Sequence, residues 1–172
     1  MKISTITNEF GFLKKSSIKA SEGKESGLYP FFTSSDVKRL SIDSFLVDDE
    51  VIILGTGGMP SCNYYCGKVA YSTDNIVLKS KGRVLTKWLY YFLRRNNLEI
   101  LANGFHGAGL KHIGKEYVSN IKMPLLSIDE QKHQIRQLDI IYNNINSLNK
   151  QMLLCEELVK SRFIGREIIL CC

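Results

Sequence analysis

The side chains best suited to chemistry lie in two glycine-bearing segments, residues 55–68 and 103–113. In the first segment, Asn63 carries a carboxamide, which can pair with adenine through two hydrogen bonds. Lys68 carries a cation suited to phosphate or guanine, and Tyr64 lies between the two residues. Because glycine lets a backbone approach a ligand closely, this segment predicts a loop that contacts nucleic acid.

Three other kinds of site fit the first segment less well. A phosphate-binding loop ends in Gly-Lys-Ser/Thr and runs into a helix, but here Pro60 stands where that helix would be under way. A DNA methyltransferase would carry an Asn/Asp-Pro-Pro-Tyr/Phe motif, and none occurs. Cys62 and Cys66 would open a zinc site only with a second ligand pair, and none of the 3 histidines stands at zinc-finger spacing.

The second segment combines glycines with basic and imidazole side chains. These side chains either face nucleic acid or are satisfied locally; they are His106, Lys111 and His112. The segment is therefore a second candidate for contact with nucleic acid.

Two shorter clusters of polar side chains each admit two interpretations. The hydroxyl groups of residues 33–35 either bond phosphates or cap a turn; they belong to Thr33, Ser34 and Ser35. The basic groups of residues 79–83 either lie in a solvated turn or clamp a nucleic-acid backbone; they belong to Lys79, Lys81 and Arg83. The charge of this part of the chain favours the clamp.

Positive charge is concentrated in the first three quarters of the chain. Residues 1–126 contain 17 Lys and Arg against 11 Asp and Glu, whereas residues 127–172 contain 6 of each. The whole net charge of +6 therefore belongs to the first part. Such an excess is the electrostatic signature expected of a nucleic-acid reader, although many other proteins are equally basic.

The chain shows no sign of a membrane or secreted protein. No apolar run reaches the length of a membrane span, and the first ten residues lack a signal-peptide core. We therefore expect a cytoplasmic protein with reduced cysteines. The odd number of cysteines, 5 in all, argues against a disulfide framework.

Short strands and one helix must position the candidate side chains. β-branched and aromatic runs predict strands at residues 44–47, 50–54, 68–71 and 75–79. An acidic turn at Asp48 and Asp49 is expected to separate the first two. Thr86 is predicted to cap a helix over residues 87–95, and one apolar face of it packs in the core; this face consists of Trp88, Leu89, Phe92 and Leu93.

A much longer helix is predicted from residue 127 onward. Ser127 with Glu130 three residues later forms a capping box, in which each side chain bonds a backbone amide of the other residue. Neither glycine nor proline follows until Gly165. Apolar residues recur at alternating steps of three and four, which is the spacing of a coiled-coil seam; they are Leu138, Ile141, Ile145, Leu148, Met152, Cys155 and Val159.

The length of this helix bears on its partners. Residues 128–163 would extend about 50 Å at 1.5 Å per residue, which exceeds the width of a domain of this size. An isolated amphipathic helix is marginal in water, so a second helix is expected to cover the seam. The alternative is a long core helix that folds back on its own domain.

Four segments resemble one protein family. Residues 123–132, MPLLSIDEQK, are similar to the "IPLPPLxEQ" signature of type I restriction-modification specificity subunits, although Leu125 and Ser127 depart from it. Residues 29–35 resemble the family's "YPFYTSS" segment, residues 87–95 its "FLYYFL" helix, and residues 158–164 the end of its conserved helix. The Glu130–Gln131 pair is the most specific of these matches. In the family, leucines of the glycine-bearing loop before this signature anchor a short helix, and the resemblance implies this role for Leu110 and Ile113.

The resemblance implies an α+β fold. A mixed-sheet target recognition domain is expected over residues 1–126, followed by one coiled-coil-forming helix over 127–163 and a tail over 164–172. In the family, a second recognition domain usually follows at this point. The chain would then be either a natural half-subunit or a truncated product, and the sequence leaves both open.

The resemblance also implies a function. The domain would read one half of a split target in duplex DNA, and two copies paired antiparallel through their helices would read an inverted repeat. Methyltransferase and restriction subunits would dock on this dimer. No catalysis is expected of the chain itself, and S-adenosylmethionine and ATP are expected only on the partner subunits. The alternatives are a fragment of a small DNA methyltransferase and a helical scaffold with an incidental basic domain.

Overall fold

The computed structural model describes residues 2–35 and 40–167, with side chains as far as residue 163. Residues 168–172, with Cys171, Cys172 and most of the predicted tail, lie outside the described part. The chain forms two compact units, residues 1–132 and 133–172. The predicted division into a recognition domain, a spacing helix and a tail concerns function, and it stays a prediction.

The first unit contains all ten strands of the described chain. In chain order they are β1 (Ile3–Thr5), β2 (Phe10–Phe12), β3 (Tyr29–Phe32), β4 (Leu40–Ile42), β5 (Val47–Gly55), β6 (Ser61–Tyr71), β7 (Asn75–Ser80), β8 (Phe105–His106), β9 (His112–Ile113) and β10 (Lys122–Pro124). The helices are α1 (Ile6–Glu9), α2 (Thr86–Ala102), α3 (Lys115–Asn120) and α4 (Ile128–Glu167), besides one 3-10 turn, Ala20–Glu22.

Six strands form the central sheet, in the order β2-β7-β5-β6-β3-β4. The pairing of β3 with β6 is parallel, and the other neighbours in this sheet are antiparallel. β1 pairs with β10, and β8 pairs with β9. A mixed-sheet domain followed by a long helix is the predicted α+β fold, which is confirmed.

The hairpin of β5 and β6 runs in continuous register from Val47↔Val69 to Gly55↔Ser61. The acidic turn predicted at Asp48 and Asp49 is therefore wrong. Carboxylates are tolerated inside this strand because cross-strand partners hold them: Lys79 donates to Asp49, and the Tyr64 hydroxyl donates to Glu50 at 2.6 Å.

Both faces of the central sheet are apolar. One face carries a buried cluster of aliphatic and aromatic side chains, namely Val51, Ile53, Val69, Tyr71 and Val77. α2 packs against β5 and β6. Its predicted apolar face is buried, and Trp88 stacks on Phe92 with their ring centroids 5.4 Å apart. The predicted end of this helix at residue 95 corresponds to an interruption, because the backbone is non-helical from Arg95 to Leu98 before the helix resumes.

The start of α4 has the predicted capping box. The Ser127 N–H donates to the Glu130 carboxylate at 2.8 Å, and the Glu130 N–H donates to the Ser127 hydroxyl oxygen at 3.3 Å. The hydrogen bond from the Ser127 side chain, followed by that from its backbone, lowers the pKa of Glu130. The next residue, Gln131, is 1% exposed.

The second unit is the remainder of α4. None of its side chains described in residues 133–163 is buried. The predicted seam is exposed along its length, from 38% at Leu138 to 63% at Leu148. Within the described residues, no helix has both the length and the apolar content that a membrane span requires.

Candidate nucleic-acid interface

The two glycine-bearing segments meet in the folded chain. Gly58 donates its N–H to the Lys111 carbonyl at 3.1 Å, and Ile113 donates its N–H to the Thr56 carbonyl at 3.0 Å. Between these bonds, Gly57 forms an antiparallel bridge with His112. A Cβ at Gly57 would lie only 3.1 Å from the His112 ring, so glycine suits this close approach.

The second segment is a short hairpin made by β8 and β9. Phe105 pairs with Ile113, and both are buried, which confirms Ile113 as an anchor. The predicted anchoring role of Leu110 is wrong, because this residue lies in the loop beyond the ladder and is 67% exposed. The three polar candidates of the hairpin are exposed; they are His106, Lys111 and His112.

The first segment is a loop only as far as Pro60. Asn63, Tyr64 and Lys68, which were predicted to lie in that loop, belong to β6 instead. The reason is the length of β5, whose pairing with β6 continues to Ser61. The Tyr64 hydroxyl donates a hydrogen bond to the Glu50 carboxylate, and the Lys68 ammonium group lies 5.0 Å from the centroid of the Phe45 ring.

The hydroxyl-rich residues 33–35 join the end of β3 to this loop. The Thr33 hydroxyl oxygen accepts the Ser35 N–H at 3.4 Å, so it caps the turn as one of its two interpretations predicted. The Ser34 carbonyl accepts the Ser61 hydroxyl at 3.3 Å. That hydroxyl oxygen in turn accepts the Gly55 N–H at 3.1 Å. Three chain segments thus converge where the first loop begins.

This convergence yields a prediction for Gly55. A Cβ there would lie 2.7 Å from the Ser34 carbonyl oxygen and 2.4 Å from the Ser61 hydroxyl oxygen, so backbone must shift. We expect Gly55→Ala to lower the free energy of unfolding by about 1–3 kcal/mol, as overpacking does. Urea denaturation will measure this change in the free energy of unfolding. Gly109→Ala is the matched control, because nothing lies within 4 Å of its Cβ position, and equal effects of the two substitutions would contradict the prediction.

A concavity of about 620 Å³ lies beside β3 and β6. It brings together four of the predicted residues, and its lining includes Thr33, Ser35, Asn63 and Tyr64. It also includes Arg94, a residue of the predicted helix over 87–95 that was not among the candidate side chains. The Arg94 guanidinium lies 5.4 Å from the centroid of the Tyr90 ring. No local pattern in the sequence identifies Arg94, because its place in this lining depends on the packing of its helix against β6, which also carries Asn63.

The basic residues 79–83 lie elsewhere. The register pairs Gly55 with Asn75 at one end of β7 and Val51 with Lys79 near the other end, away from the glycine loops. Each cation also has an internal partner. Lys79 pairs with Asp49 and lowers the pKa of that carboxyl. Lys81 donates to the Thr7 carbonyl at 2.8 Å, and Arg83 lies 3.5 Å from the buried carboxylate of Glu9.

No metal site is visible in the described part of the chain. Within residues 2–35 and 40–167, no group of three or more His, Cys, Asp or Glu side chains could hold a metal ion. Cys62 is buried in β6, whereas Cys66 is exposed.

The fold and this surface can now be compared with known proteins. The family model of the type I restriction modification DNA specificity domain matches residues 2–154. The chain belongs to this family. The resemblance noted in the sequence is thereby confirmed, and so is the expectation of a DNA-recognition component rather than an enzyme, since the family is defined by DNA specificity.

Two curated relatives are specificity subunits. The type I restriction enzyme EcoDI specificity subunit of Escherichia coli is 28% identical over 162 residues, covering 90% of this chain and 35% of the relative. The type I restriction enzyme MjaVIII specificity subunit of Methanocaldococcus jannaschii is 26% identical over 149 residues, covering 81% and 35%. The chain therefore spans about a third of the length of these two relatives.

Solved structures share the fold of this specificity domain. The S subunit of a type I restriction-modification system from M. genitalium superposes with a TM-score of 0.72 at 18% identity, covering 87% of this chain and 41% of that one. The HsdS subunit of Thermoanaerobacter tengcongensis gives 0.59 at 17% identity, covering 87% and 39%. At these identities the structural similarity establishes the fold alone.

Proposed function

We propose that this specificity domain reads a defined sequence of duplex DNA, as the specificity subunit of a type I restriction-modification system. The observation that supports it best is the pairing of the two glycine loops. This pairing places Lys111 and His112, both exposed, beside the half-buried backbone of residues 56–58. Cationic side chains position a protein on phosphates, whereas carboxamides and guanidinium groups read base edges.

The concavity would supply the base-reading groups. Asn63 offers a carboxamide for adenine, and Arg94 offers a planar guanidinium that fits the acceptors of guanine in the major groove. Lys111, His106 and His112 would serve phosphates from the paired loops. Lys68 takes a smaller part, because the register pairs it with Asp48 at the other end of the β5–β6 hairpin. The cations of residues 79–83 take a smaller part in this proposal, because carboxylates and carbonyls of the domain already engage them.

The occupant proposed for the seam of α4 is a second copy of the chain. The seam is apolar, exposed and regularly spaced over residues 138–159, and its surroundings do not oppose self-pairing, because residues 127–172 have as many basic as acidic groups. Two copies paired antiparallel would be related by a twofold axis, and protein symmetry is mirrored in the DNA site. The dimer would therefore read an inverted repeat split by a gap.

The chemistry is proposed to reside in other subunits. Methyltransferase and restriction subunits would dock on the DNA-bound dimer in the cytoplasm, and they alone would bind S-adenosylmethionine and ATP. One related fold occurs in a structure of the assembly of a type I R-M system, with a TM-score of 0.64 at 18% identity. Binding of S-adenosylmethionine to the isolated chain would instead favour the fragment of a methyltransferase.

Selection of binding sites from random duplexes tests the proposed function. We expect recovery of a gapped inverted repeat, bound with an affinity that falls steeply with salt because phosphate contacts release counterions. An ungapped asymmetric site would contradict the dimer. Indifference to every duplex would overturn DNA recognition and favour the helical scaffold.

Arg94 provides a sharper prediction for the selected site. A good bidentate pair with guanine is worth about 1–3 kcal/mol, so Arg94→Ala should weaken specific binding by about 5- to 150-fold for each half-site and relax the preference at one base pair of each half-site. Arg95→Ala is the matched control. It removes the same charge, but its guanidinium lies 4.3 Å from the Phe92 ring centroid and does not line the concavity. Fluorescence anisotropy with the selected duplex will compare the affinities of the two variants. Equal losses of affinity would contradict a base-reading role for Arg94.

A further inference from the structure

Two large apolar side chains project from the paired glycine loops. Met59 in the first loop is 81% exposed, and Leu110 in the second is 67% exposed. We call these two residues the apolar tip. Exposed apolar side chains at neighbouring loop ends suggest a contact with a partner.

The loops hold the apolar tip on one local surface. Gly58, the neighbour of Met59, bonds the carbonyl of Lys111, the neighbour of Leu110, at 3.1 Å. The Leu110 Cδ2 atom lies 4.0 Å from where a Cβ of Gly57 would stand. Both side chains therefore belong to a single surface, although 50 residues of chain separate them.

The charges around the apolar tip indicate the kind of partner. Neither residues 55–61 nor residues 105–113 include Asp or Glu, whereas the second loop carries Lys111, His106 and His112. One cation and two imidazoles around a small apolar centre, with no acidic group in either loop, suit a ligand with negative edges and an apolar spot between them. The major groove of DNA has this character wherever thymine presents its C5-methyl group between two phosphate backbones.

We propose that the apolar tip enters the major groove and contacts the methyl group of a thymine in each half-site, with Lys111 and His112 directed to the flanking phosphates. This inference rests on the proposed DNA recognition and makes it more specific. Gly58 and Gly109 favour the close approach, because nothing lies within 4 Å of their Cβ positions and neither residue adds a side chain to this surface.

The test replaces single thymines of the selected duplex with deoxyuridine, which removes only the methyl group. We expect replacement of the contacted thymine in one half-site to weaken binding of the wild-type chain about fourfold, the factor equivalent to about 0.8 kcal/mol for one buried methyl-sized group. Met59→Ser and Leu110→Ser should bind the thymine duplex more weakly and should lose the sensitivity to deoxyuridine. Leu28→Ser is the matched control, because Leu28 is 75% exposed outside both loops and should leave that sensitivity intact.

The outcomes separate this inference from the function on which it rests. A chain that binds no duplex overturns the proposed function itself. A chain that selects a site but tolerates deoxyuridine at every position overturns only the methyl contact. Increased 2-aminopurine fluorescence next to the contacted step would indicate a side chain wedged between bases instead. Variants of the apolar tip that bind DNA normally but fail to retain a methyltransferase subunit would assign the tip to a protein partner, and this too overturns the inference.

Discussion

Replacing Gln131 with Glu is expected to lower the free energy of unfolding by about 2–6 kcal/mol, since an unsatisfied buried polar group costs about 1–3 kcal/mol and two are created. The side chain is buried, and its carboxamide makes three hydrogen bonds to backbone. Its oxygen accepts the Leu85 N–H at 2.8 Å. Its nitrogen donates to the carbonyls of Arg83 and Leu126, each at 3.0 Å. An ionised glutamate has no donor for either carbonyl, and its charge would be desolvated.

The effect of Gln131→Glu should also depend on pH. Burial beside two carbonyl oxygens favours the protonated form of the introduced carboxyl, so its pKa in the folded variant would lie above its unfolded value. The penalty relative to wild type should therefore be smallest below the unfolded pKa of about 4.3 and should grow as the pH rises through the higher folded value. A penalty that grows towards acidic pH would contradict this account.

Urea denaturation followed by the fluorescence of Trp88 will measure both effects, because this single tryptophan is buried in the domain. Gln137→Glu is the matched control, since Gln137 lies on the same helix, is exposed and undergoes the same change of charge. We expect the control to stay within about 0.5 kcal/mol of wild type. Similar stabilities of the two variants would contradict the role of Gln131.

Gln131 also shows where sequence reasoning stops. The capping box was predictable because Ser127 and Glu130 are three residues apart and the chemistry of their side chains fixes their geometry. The partners of Gln131 at residues 83 and 85 lie 48 and 46 residues away along the chain. The sequence therefore identified Glu130–Gln131 as a family-specific pair. It did not indicate that the Gln131 side chain bonds the backbone just before α2.

The candidate interface was predictable to a similar extent. Glycine content identified both loops, because glycine permits the backbone approach that their pairing requires. The position of Asn63 in a strand depends on the register of β5 with β6, and the inclusion of Arg94 depends on helix packing. The partners of the basic residues 79–83 are likewise remote in sequence, since Arg83 reaches Glu9. Such pairings are set by tertiary structure and leave no local pattern.

The largest expected effect on assembly comes from placing a charge in the seam of α4. Ile145 lies in the middle of the seam and is 49% exposed in the chain. In a twofold dimer, Ile145→Asp would introduce two carboxylates and remove two isoleucine side chains from the same interface. Loss of a buried isoleucine costs about 2–5 kcal/mol. Because the dimer loses two of them, its dissociation constant should rise by a factor on the order of 1,000 or more.

Sedimentation and light scattering will measure the change in self-association. Asn143→Asp is the matched control, because it adds the same charge two residues away, on the opposite side of the helix from the seam. We expect the control to dimerise as wild type does. The Ile145→Asp chain should keep the unfolding transition of the domain, because Ile145 belongs to the unit formed by residues 133–172.

DNA binding then distinguishes the dimer from the recognition domain. The Ile145→Asp chain should still bind one half-site, because the proposed reading groups all lie in residues 1–132. It should lose the preference for two half-sites at a fixed gap, because that preference depends on the pairing of two helices. A wild-type chain that is monomeric at micromolar concentration would contradict pairing with a second copy. The seam would then require a helix from another protein, and the recognition of a half-site would remain to be tested independently.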